Sequence, residues 1–117
     1  MKTYISGQIS GLPIGEVLTK FRAAENKLHK FSLTPVSPLN NGLPFEVEWA
    51  DQMGRDIALL LKCEAIYMLT GWEQSEGATI EYLIARQRRM KIFHEQTIDA
   101  LASVGNLLKP QKDEKAE

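Results

Sequence analysis

Short runs suited to β-strands alternate along this chain with longer segments of helical periodicity, and this alternation restricts the fold more than any other feature. The third run, Ala65–Leu69, is continuously apolar, which is typical of a strand covered on both faces. Such a pattern predicts a parallel sheet between two helical layers, with right-handed crossovers between the strands. We therefore expect an α/β protein built as a three-layer α/β/α sandwich.

The limits of the elements follow from the residue pattern. Apolar residues recur at helical spacing in four segments, whereas apolar or alternating runs bounded by Gly, Pro and polar residues mark the strands. The predicted strands are Lys2–Ser6, Ser32–Val36, Ala65–Leu69 and Lys91–His94, and the predicted helices span about Gly15–Phe31, Trp49–Lys62, Glu76–Arg89 and Thr97–Leu108. No repeat or linker divides this series, so we expect one domain over residues 1–108 and a disordered tail at residues 109–117.

Composition and charge argue against several classes of protein. The 117 residues are 44% hydrophobic and 25% charged, which fits a compact domain with a core. A net charge of −1 does not favour nucleic acid as the main partner, and no apolar run approaches the ~20 residues that a membrane span requires. The lone Cys63 has no internal disulfide partner and no signal peptide is recognisable, so we expect a cytoplasmic protein.

The predicted topology also indicates where a ligand would bind. In open parallel sheets, ligands bind outside the carboxyl ends of the strands, at the point where the strand order reverses. This rule brings together the loops at residues 6–15, 37–48 and 70–77. Glu81 lies one turn into the helix that follows the last of these loops, so we expect its carboxylate at the floor of a pocket. The positive end of the helix would favour its anionic form.

Three groups of residues carry a resemblance to a known family. They are YISGQISG at residues 4–11, RD at 55–56 followed by EAIY at 64–67, and GWEQSEGA at 71–78 followed by Glu81 and Ala85. They resemble the DUF4406 family of small phage and bacterial proteins, which is similar to nucleoside 2-deoxyribosyltransferases and to 2′-deoxynucleoside 5′-phosphate N-hydrolases. The likeness covers about residues 2–94, and its most specific part is the spacing of Ser75, Gly77 and Glu81. It implies a flavodoxin-like (Rossmann-like) sheet of four or five strands and cleavage or exchange of an N-glycosidic bond.

The resemblance implies three catalytic residues. Glu81 would be the nucleophile that attacks the anomeric carbon of a deoxyribose, a step that a carboxylate can perform and reverse. Tyr4 would orient that carboxylate through its hydroxyl. Asp56 would either hold the sugar or protonate the leaving base, and the second role would require a raised pKa.

The resemblance also implies substrate-binding residues in two of the three loops. The first-loop glycines would offer backbone N–H groups to a phosphate. Ser75 matches a phosphate-binding serine of the nucleotide hydrolases, where the transferases have an aspartate, and this favours a nucleotide. The implied set is Ser6, Gly7, Gln8, Ile9, Ser10, Gly11, Trp72, Ser75 and Gly77. Ser10 stands where the hydrolases carry an arginine, so Arg22 or the cluster Arg86–Arg89, from the same or a neighbouring subunit, would have to replace that contact.

Each of these residues also has a purely structural interpretation. Glu81 and Asp56 would then be solvated helix charges, Tyr4 a core aromatic, and the Gly7–Gly11 loop a simple turn. Trp49 and Trp72 either stack on a base or pack as lids. The cluster Arg86–Arg89 is either a solvated face or a contact between subunits.

Two functions therefore stay open. One is an enzyme that acts on a deoxynucleoside or its 5′-monophosphate, by hydrolysis or by base exchange; the other is a non-catalytic nucleotide-binding or sensing module. Tyr4, Asp56 and Glu81 together favour the enzyme, because a binding module needs no buried nucleophile beside an acid. We expect no cofactor and no metal, and a homodimer or higher homo-oligomer, because the third helix is apolar on nearly every side.

Overall fold

In the computed structural model, which describes residues 1–99, four strands form one parallel sheet in the order β2-β1-β3-β4. The strands are β1 (Lys2–Ser6), β2 (Thr34–Val36), β3 (Ala65–Met68) and β4 (Lys91–His94), and the helices are α1 (Ile14–Lys30), α2 (Trp49–Leu60) and α3 (Glu76–Gln87). Two 3₁₀ turns lie at Pro38–Asn40 and Trp72–Gln74, and residues 95–99 are helical.

Helices cover both faces of the sheet, which makes three layers. On one face α1 buries Val17, Phe21, Ala24 and Leu28, which share one side of the helix, and packs them against Ile5 and Tyr67. On the other face Leu60 of α2 and Ala85 of α3 pack against Tyr4 and Ile66. Because side chains alternate along a strand, neighbouring residues of β1 and of β3 serve the two separate cores.

The strand order reverses between β1 and β3. β1 pairs with β2 on one side and with β3 on the other, all parallel, so that Tyr4 lies beside both Val36 and Ile66. This is the order of a flavodoxin-like sheet, and its reversal opens a crevice beyond the carboxyl ends of β1 and β3. The predicted α/β fold and parallel sheet are confirmed.

Several element ends differ from the predicted ones by one to two residues. β2 begins at Thr34 and not at Ser32, because Ser32 adopts a left-handed conformation (φ 61°) in the turn that ends α1. α3 ends at Gln87 and not at Arg89, which is also left-handed (φ 57°), while the Met90 N–H bonds back to the carbonyl of Ala85. α2 and β3 likewise end slightly earlier than predicted, at Leu60 and Met68.

The predicted last helix, Thr97–Leu108, lies mostly outside the described residues, as does the predicted tail at residues 109–117. Its described part already begins at residue 95. Among residues 1–99, no helix is both long enough and apolar enough to cross a membrane.

Candidate active site

A pocket of about 440 Å³ opens at the crevice beyond β1 and β3. The loops after β1, β2 and β3 all contribute to it, as the topology predicts, and so does one side of α2. Its lining consists of Gly7, Ile9, Ser10, Pro38, Leu39, Phe45, Val47, Trp49, Gln52, Met53, Asp56, Gln74, Ser75, Glu76, Gly77, Ala78 and Glu81. Pockets of this size hold small organic ligands.

A carboxyl group at the floor of the pocket accepts hydrogen bonds from two hydroxyl groups. Glu81 is only 4% exposed. The Tyr4 hydroxyl donates to its Oε2 at 2.7 Å, and the Ser6 hydroxyl donates to its Oε1 at 2.7 Å. Tyr4 and Ser6 are two residues apart in β1 and therefore point to the same face of the sheet, where α3 presents Glu81. The carboxyl is thus fixed in position by a strand on one side and a helix on the other.

Burial dominates the protonation of Glu81. It raises the pKa of this carboxyl to about 7, although the hydrogen bonds from Ser6 and Tyr4 act in the opposite direction. The nearby Asp56 adds a further increase. Burial, followed by the charge of Glu81, also raises the pKa of Tyr4 well above its usual value, so this hydroxyl remains a donor. The predicted preference for the anion at the start of α3 is therefore outweighed by desolvation.

A second buried carboxyl lines the same pocket. Asp56 of α2 is 7% exposed, and its Oδ1 accepts a hydrogen bond of 2.8 Å from the side-chain amide of Asn41. Burial raises the pKa of Asp56, and the bond from Asn41 partly opposes that rise. A carboxyl that keeps its proton above its usual range is suited to act as an acid.

The amino terminus of α3 forms another side of the pocket. Ser75 caps the helix, since its Oγ accepts the N–H of Ala78 at 3.1 Å. The N–H groups of Glu76 and Gly77, both lining residues, have no acceptor within the helix, and their partial positive charge favours an anion. A Cβ on Gly77 would lie 3.0 Å from Sδ of Met53, so glycine lets α3 approach α2 closely.

Glycine is also required where the first loop leaves β1. A Cβ on Gly7 would lie 2.7 Å from Cδ1 of Leu69, which follows β3. A larger residue would therefore push the two strand ends apart and widen the floor of the pocket.

The outer wall of the pocket is apolar and exposed. Phe45 is 59% exposed and Trp49 is 47% exposed, yet both line the cavity, together with Val47 and Leu39. They come from the segment after β2 and from the first turn of α2. A flat aromatic ligand could stack on these side chains.

The sequence profile of one family matches residues 1–94, a domain of unknown function termed DUF4406. The chain belongs to the DUF4406 family. No curated protein matches it.

The charged residues that line this DUF4406 pocket are all acidic. Its lining contains the carboxyl groups of Asp56, Glu76 and Glu81, and within residues 1–99 it contains no lysine or arginine. Arg22 of α1 is not a lining residue. The cluster Arg86–Arg89 lies at the carboxyl end of α3, roughly 18 Å from the amino end that borders the pocket at ~1.5 Å per residue. Within one subunit, neither Arg22 nor the cluster Arg86–Arg89 supplies the phosphate contact that the resemblance implied.

The structure brings most of the predicted site residues together. The members of the predicted set that line the pocket are Gly7, Ile9, Ser10, Asp56, Ser75, Gly77 and Glu81. Tyr4 and Ser6 lie behind the floor as hydrogen-bond donors to Glu81, so Ser6 contacts the carboxylate rather than the cavity. Gln8 instead donates to the carbonyl of Ser10 at 3.2 Å, and neither Gln8 nor Gly11 lines the pocket.

Trp72 lies elsewhere. Its ring packs on Tyr82 of α3 with the centroids 4.6 Å apart, and it borders a separate cavity of about 140 Å³ beside β4. Of the two interpretations of Trp72, the structure supports packing.

Sequence reasoning missed the residues after β2 that complete the site. Asn41, Gln52 and Phe45 were not predicted, and Trp49 was left undecided between stacking and packing. A usable signal for Asn41 was its place before Gly42, since Asn readily closes a turn with its side chain. No pattern in the sequence indicated that the same amide would reach Asp56.

Proposed function

We propose that this DUF4406 chain is an enzyme that cleaves or exchanges the N-glycosidic bond of a deoxynucleoside or of its 5′-monophosphate. One observation carries the proposal: a buried carboxyl, Glu81, is held by two hydroxyl donors at the floor of an open pocket that a second buried carboxyl, Asp56, also lines. Structural carboxyl groups are seldom placed as a buried pair in a cavity of ligand size.

The proposed first step uses both carboxyl groups. In the reactive form the two carboxyls hold one proton, on Asp56, and Glu81 is ionised although burial raises its pKa to about 7. An oxygen of Glu81 then attacks the anomeric carbon and forms a glycosyl ester, while the bond from that carbon to the base nitrogen breaks. The electron pair of the broken bond goes to the base nitrogen, which takes a proton from Asp56. Water, or a second base, then attacks the same carbon and releases Glu81, and Asp56 takes up the proton of the incoming group.

The two halves of the pocket suit the two halves of a nucleoside. The sugar would lie over the polar floor near Glu81, and the base would stack on Phe45 and Trp49, which line the pocket and are partly exposed.

Charge disfavours a phosphate in this pocket, because the lining has three carboxyl groups and, within residues 1–99, no lysine or arginine. The start of α3 and the first loop could still hold a phosphate through backbone N–H groups. A 5′-monophosphate that bound at least tenfold more tightly than its nucleoside would favour the nucleotide, and equal affinities in calorimetry would favour the nucleoside.

The test is incubation with a panel of deoxynucleosides and their 5′-monophosphates, with and without an added acceptor base, followed by chromatography of the released base. Release without an acceptor indicates hydrolysis, and a new nucleoside indicates transfer. Release should disappear in Glu81→Gln and persist in Glu76→Gln, which removes an exposed carboxylate of the same pocket. If no member of the panel released base, the enzyme proposal would be wrong for these substrates.

A second candidate is a non-catalytic nucleotide-binding module. It is favoured by the way in which Ser6 and Tyr4 satisfy both oxygens of Glu81, an arrangement that would also stabilise a carboxyl with no chemical task. Binding of a nucleotide without release of its base would support this candidate.

We also propose a cytoplasmic homodimer formed through the outer face of α3. Leu83 is 57% exposed there, beside half-buried Tyr82 and Ile84. A two-fold contact would cover this face and would move the arginines at the end of α3 close to a partner subunit. Leu83→Glu should then halve the mass in light scattering, and Leu18→Glu, an exposed leucine of α1, should not. A monomeric parent protein would contradict the proposal.

A further inference from the structure

Asn41 is a buried polar residue whose side chain is fully engaged. Its Oδ1 accepts the N–H of Leu43 at 2.9 Å, and its Nδ2 donates to Oδ1 of Asp56 and to Oε1 of Gln52, each at 2.8 Å. A side-chain amide has two N–H donors, and both are used. The hydrogen bond that the Leu43 N–H donates to Oδ1 fixes the orientation of the amide. In the reversed orientation the amide oxygen, and not an N–H, would face the carboxyl of Asp56.

The bond from Asn41 makes the two oxygens of Asp56 unequal. Oδ1 is occupied by the amide. Oδ2 makes no hydrogen bond within residues 1–99, and the only buried side-chain oxygen or nitrogen without a partner in that range belongs to Tyr67. Oδ2 is therefore accessible to solvent. Because Asp56 lines the pocket, we place Oδ2 at the cavity.

From this geometry, and resting on the proposed function, we propose that Asn41 is a positioning residue that reserves Oδ1 of Asp56 for the protein and leaves Oδ2 to carry the proton for the ligand. The amide N–H groups can only donate, so a proton on Oδ1 would oppose the N–H of Asn41. The proton of the neutral acid therefore sits on Oδ2, from which it can pass to the leaving nitrogen.

The same amide sets the position of the apolar wall. Asn41 and Leu43 close the turn that starts the segment carrying Phe45, and Gln52, the second acceptor of Asn41, donates in turn to the carbonyl of Pro44 at 2.5 Å. One side chain thus ties the acid to the surface on which the base would stack. A ligand that displaced this segment would also disturb the hydrogen bond to Asp56.

The groups that titrate near Asp56 are few. Glu81 and Glu76 of α3 line the same pocket, and Tyr4 of β1 lies behind Glu81; no charged residue of the segment at 41–47 lines the cavity. Because Asn41 is the neutral donor among these acids, its removal should act on Asp56 in a single direction, toward a higher pKa.

The test uses two substitutions of Asn41 and a matched control. Asn41→Asp keeps the shape and an acceptor for the Leu43 N–H but loses the donor, Asn41→Ala removes the whole group without adding charge, and Asn40→Asp changes the exposed neighbour. The first measurement is an NMR titration of the side-chain carboxyl carbons of the full chain, in which the Asp56 signal is identified by its loss in Asp56→Asn. Both Asn41 variants should shift the Asp56 midpoint to higher pH, and Asn40→Asp should leave it unchanged.

The second measurement is the pH profile of kcat/KM on whichever deoxynucleoside the parent cleaves. The part of the profile set by the pKa of Asp56 should move to higher pH in both Asn41 variants. The value of kcat should fall about 10–100-fold, because the carboxyl is no longer held in position and its proton is no longer confined to one oxygen. An Asp56 midpoint that did not move in a folded Asn41→Ala protein would overturn the assignment. If Asn41→Asp did not fold, Asn41→Ala would decide the question alone. If neither folded, Gln52→Leu, which removes the second acceptor of Asn41 together with the donor to the Pro44 carbonyl, should loosen the amide and change the Asp56 midpoint by a smaller amount; no change would overturn the proposal.

The two proposals fail separately. If no substrate were cleaved, the proposed function would fall while the NMR titration still reported the bond between Asn41 and Asp56. If substrates were cleaved and the pH midpoint of Asp56 were the same in the parent and in both Asn41 variants, only the positioning role of Asn41 would be wrong.

Discussion

The floor and the wall of the pocket are built in different ways. The floor, formed by Tyr4, Ser6 and Glu81, lies on β1 and α3, is buried, and is joined by two hydrogen bonds of 2.7 Å. The wall, formed by Phe45, Val47 and Trp49, comes from a segment after β2 and the start of α2, and its aromatic side chains are largely exposed. Under the proposed function, reaction chemistry would belong to the floor, where geometry is fixed in advance, and ligand choice to the wall, where side chains can adapt.

The largest expected effect is at the centre of the floor. Glu81→Gln keeps the size of the residue and one hydrogen-bond acceptor but removes the attacking carboxylate, so kcat should fall by roughly four orders of magnitude or more. Ligand affinity should change little, as measured by calorimetry. Glu76→Gln, on the exposed first turn of the same helix, should retain kcat within about threefold. Near-normal turnover in Glu81→Gln would transfer the chemistry to another residue.

The second effect concerns stability and its dependence on pH. Burial raises the pKa of Glu81 from 4.5 to about 7, so the folded protein binds this proton more tightly than the unfolded chain does. The contribution of this proton to the free energy of unfolding is fully present below about pH 4.5 and is lost as the pH rises through about 7. Glu81→Gln, which resembles the protonated form, should therefore gain on the order of 3 kcal/mol over the parent between pH 5 and pH 9. Urea titrations at both pH values measure it, and a constant difference would contradict the buried charge.

The third effect separates two buried tyrosines. Tyr4→Phe removes one donor to Glu81 and should lower kcat about 10–100-fold, because a hydrogen bond to a charged group contributes about 1.5–3 kcal/mol. Tyr67→Phe lies on the adjacent strand and faces the other core, and its hydroxyl makes no hydrogen bond within residues 1–99. It should leave kcat unchanged. Equal losses in the two variants would indicate a general packing defect.

The smallest effect is at the wall. Phe45→Ala should raise KM about tenfold and change kcat less than about threefold, because stacking contributes to binding of the ground state and the transition state alike. Phe31→Ala removes a similarly exposed phenylalanine at the end of α1 and should alter neither constant. A Phe45→Ala protein with normal KM and low kcat would reverse the roles given to wall and floor.

The sequence predicted the floor better than the wall, and the reason is physical. Strand alternation places Tyr4 and Ser6 on one face, and helix geometry places Glu81 nearly two turns after the cap at Ser75, so local periodicity suffices for the floor. Ser6 was nevertheless assigned to the substrate, since the sequence cannot tell whether a hydroxyl faces a ligand or another side chain. The wall depends on an irregular segment without periodicity, where the contact between Asn41 and Asp56 joins residues from separate elements. Trp72 was misplaced for a similar reason, because its 3₁₀ turn directs the ring toward Tyr82.

The central claim is that Glu81 forms a covalent bond to the sugar, and intact-mass spectrometry of acid-quenched protein tests it directly. Parent protein mixed with a cleaved deoxynucleoside should gain the mass of one deoxyribosyl group, and peptide mapping should place that group on the peptide containing Glu81. The adduct should be absent in Glu81→Gln and present in Glu76→Gln. Base release with the adduct on a different residue, or continued release by Glu81→Gln, would contradict the account.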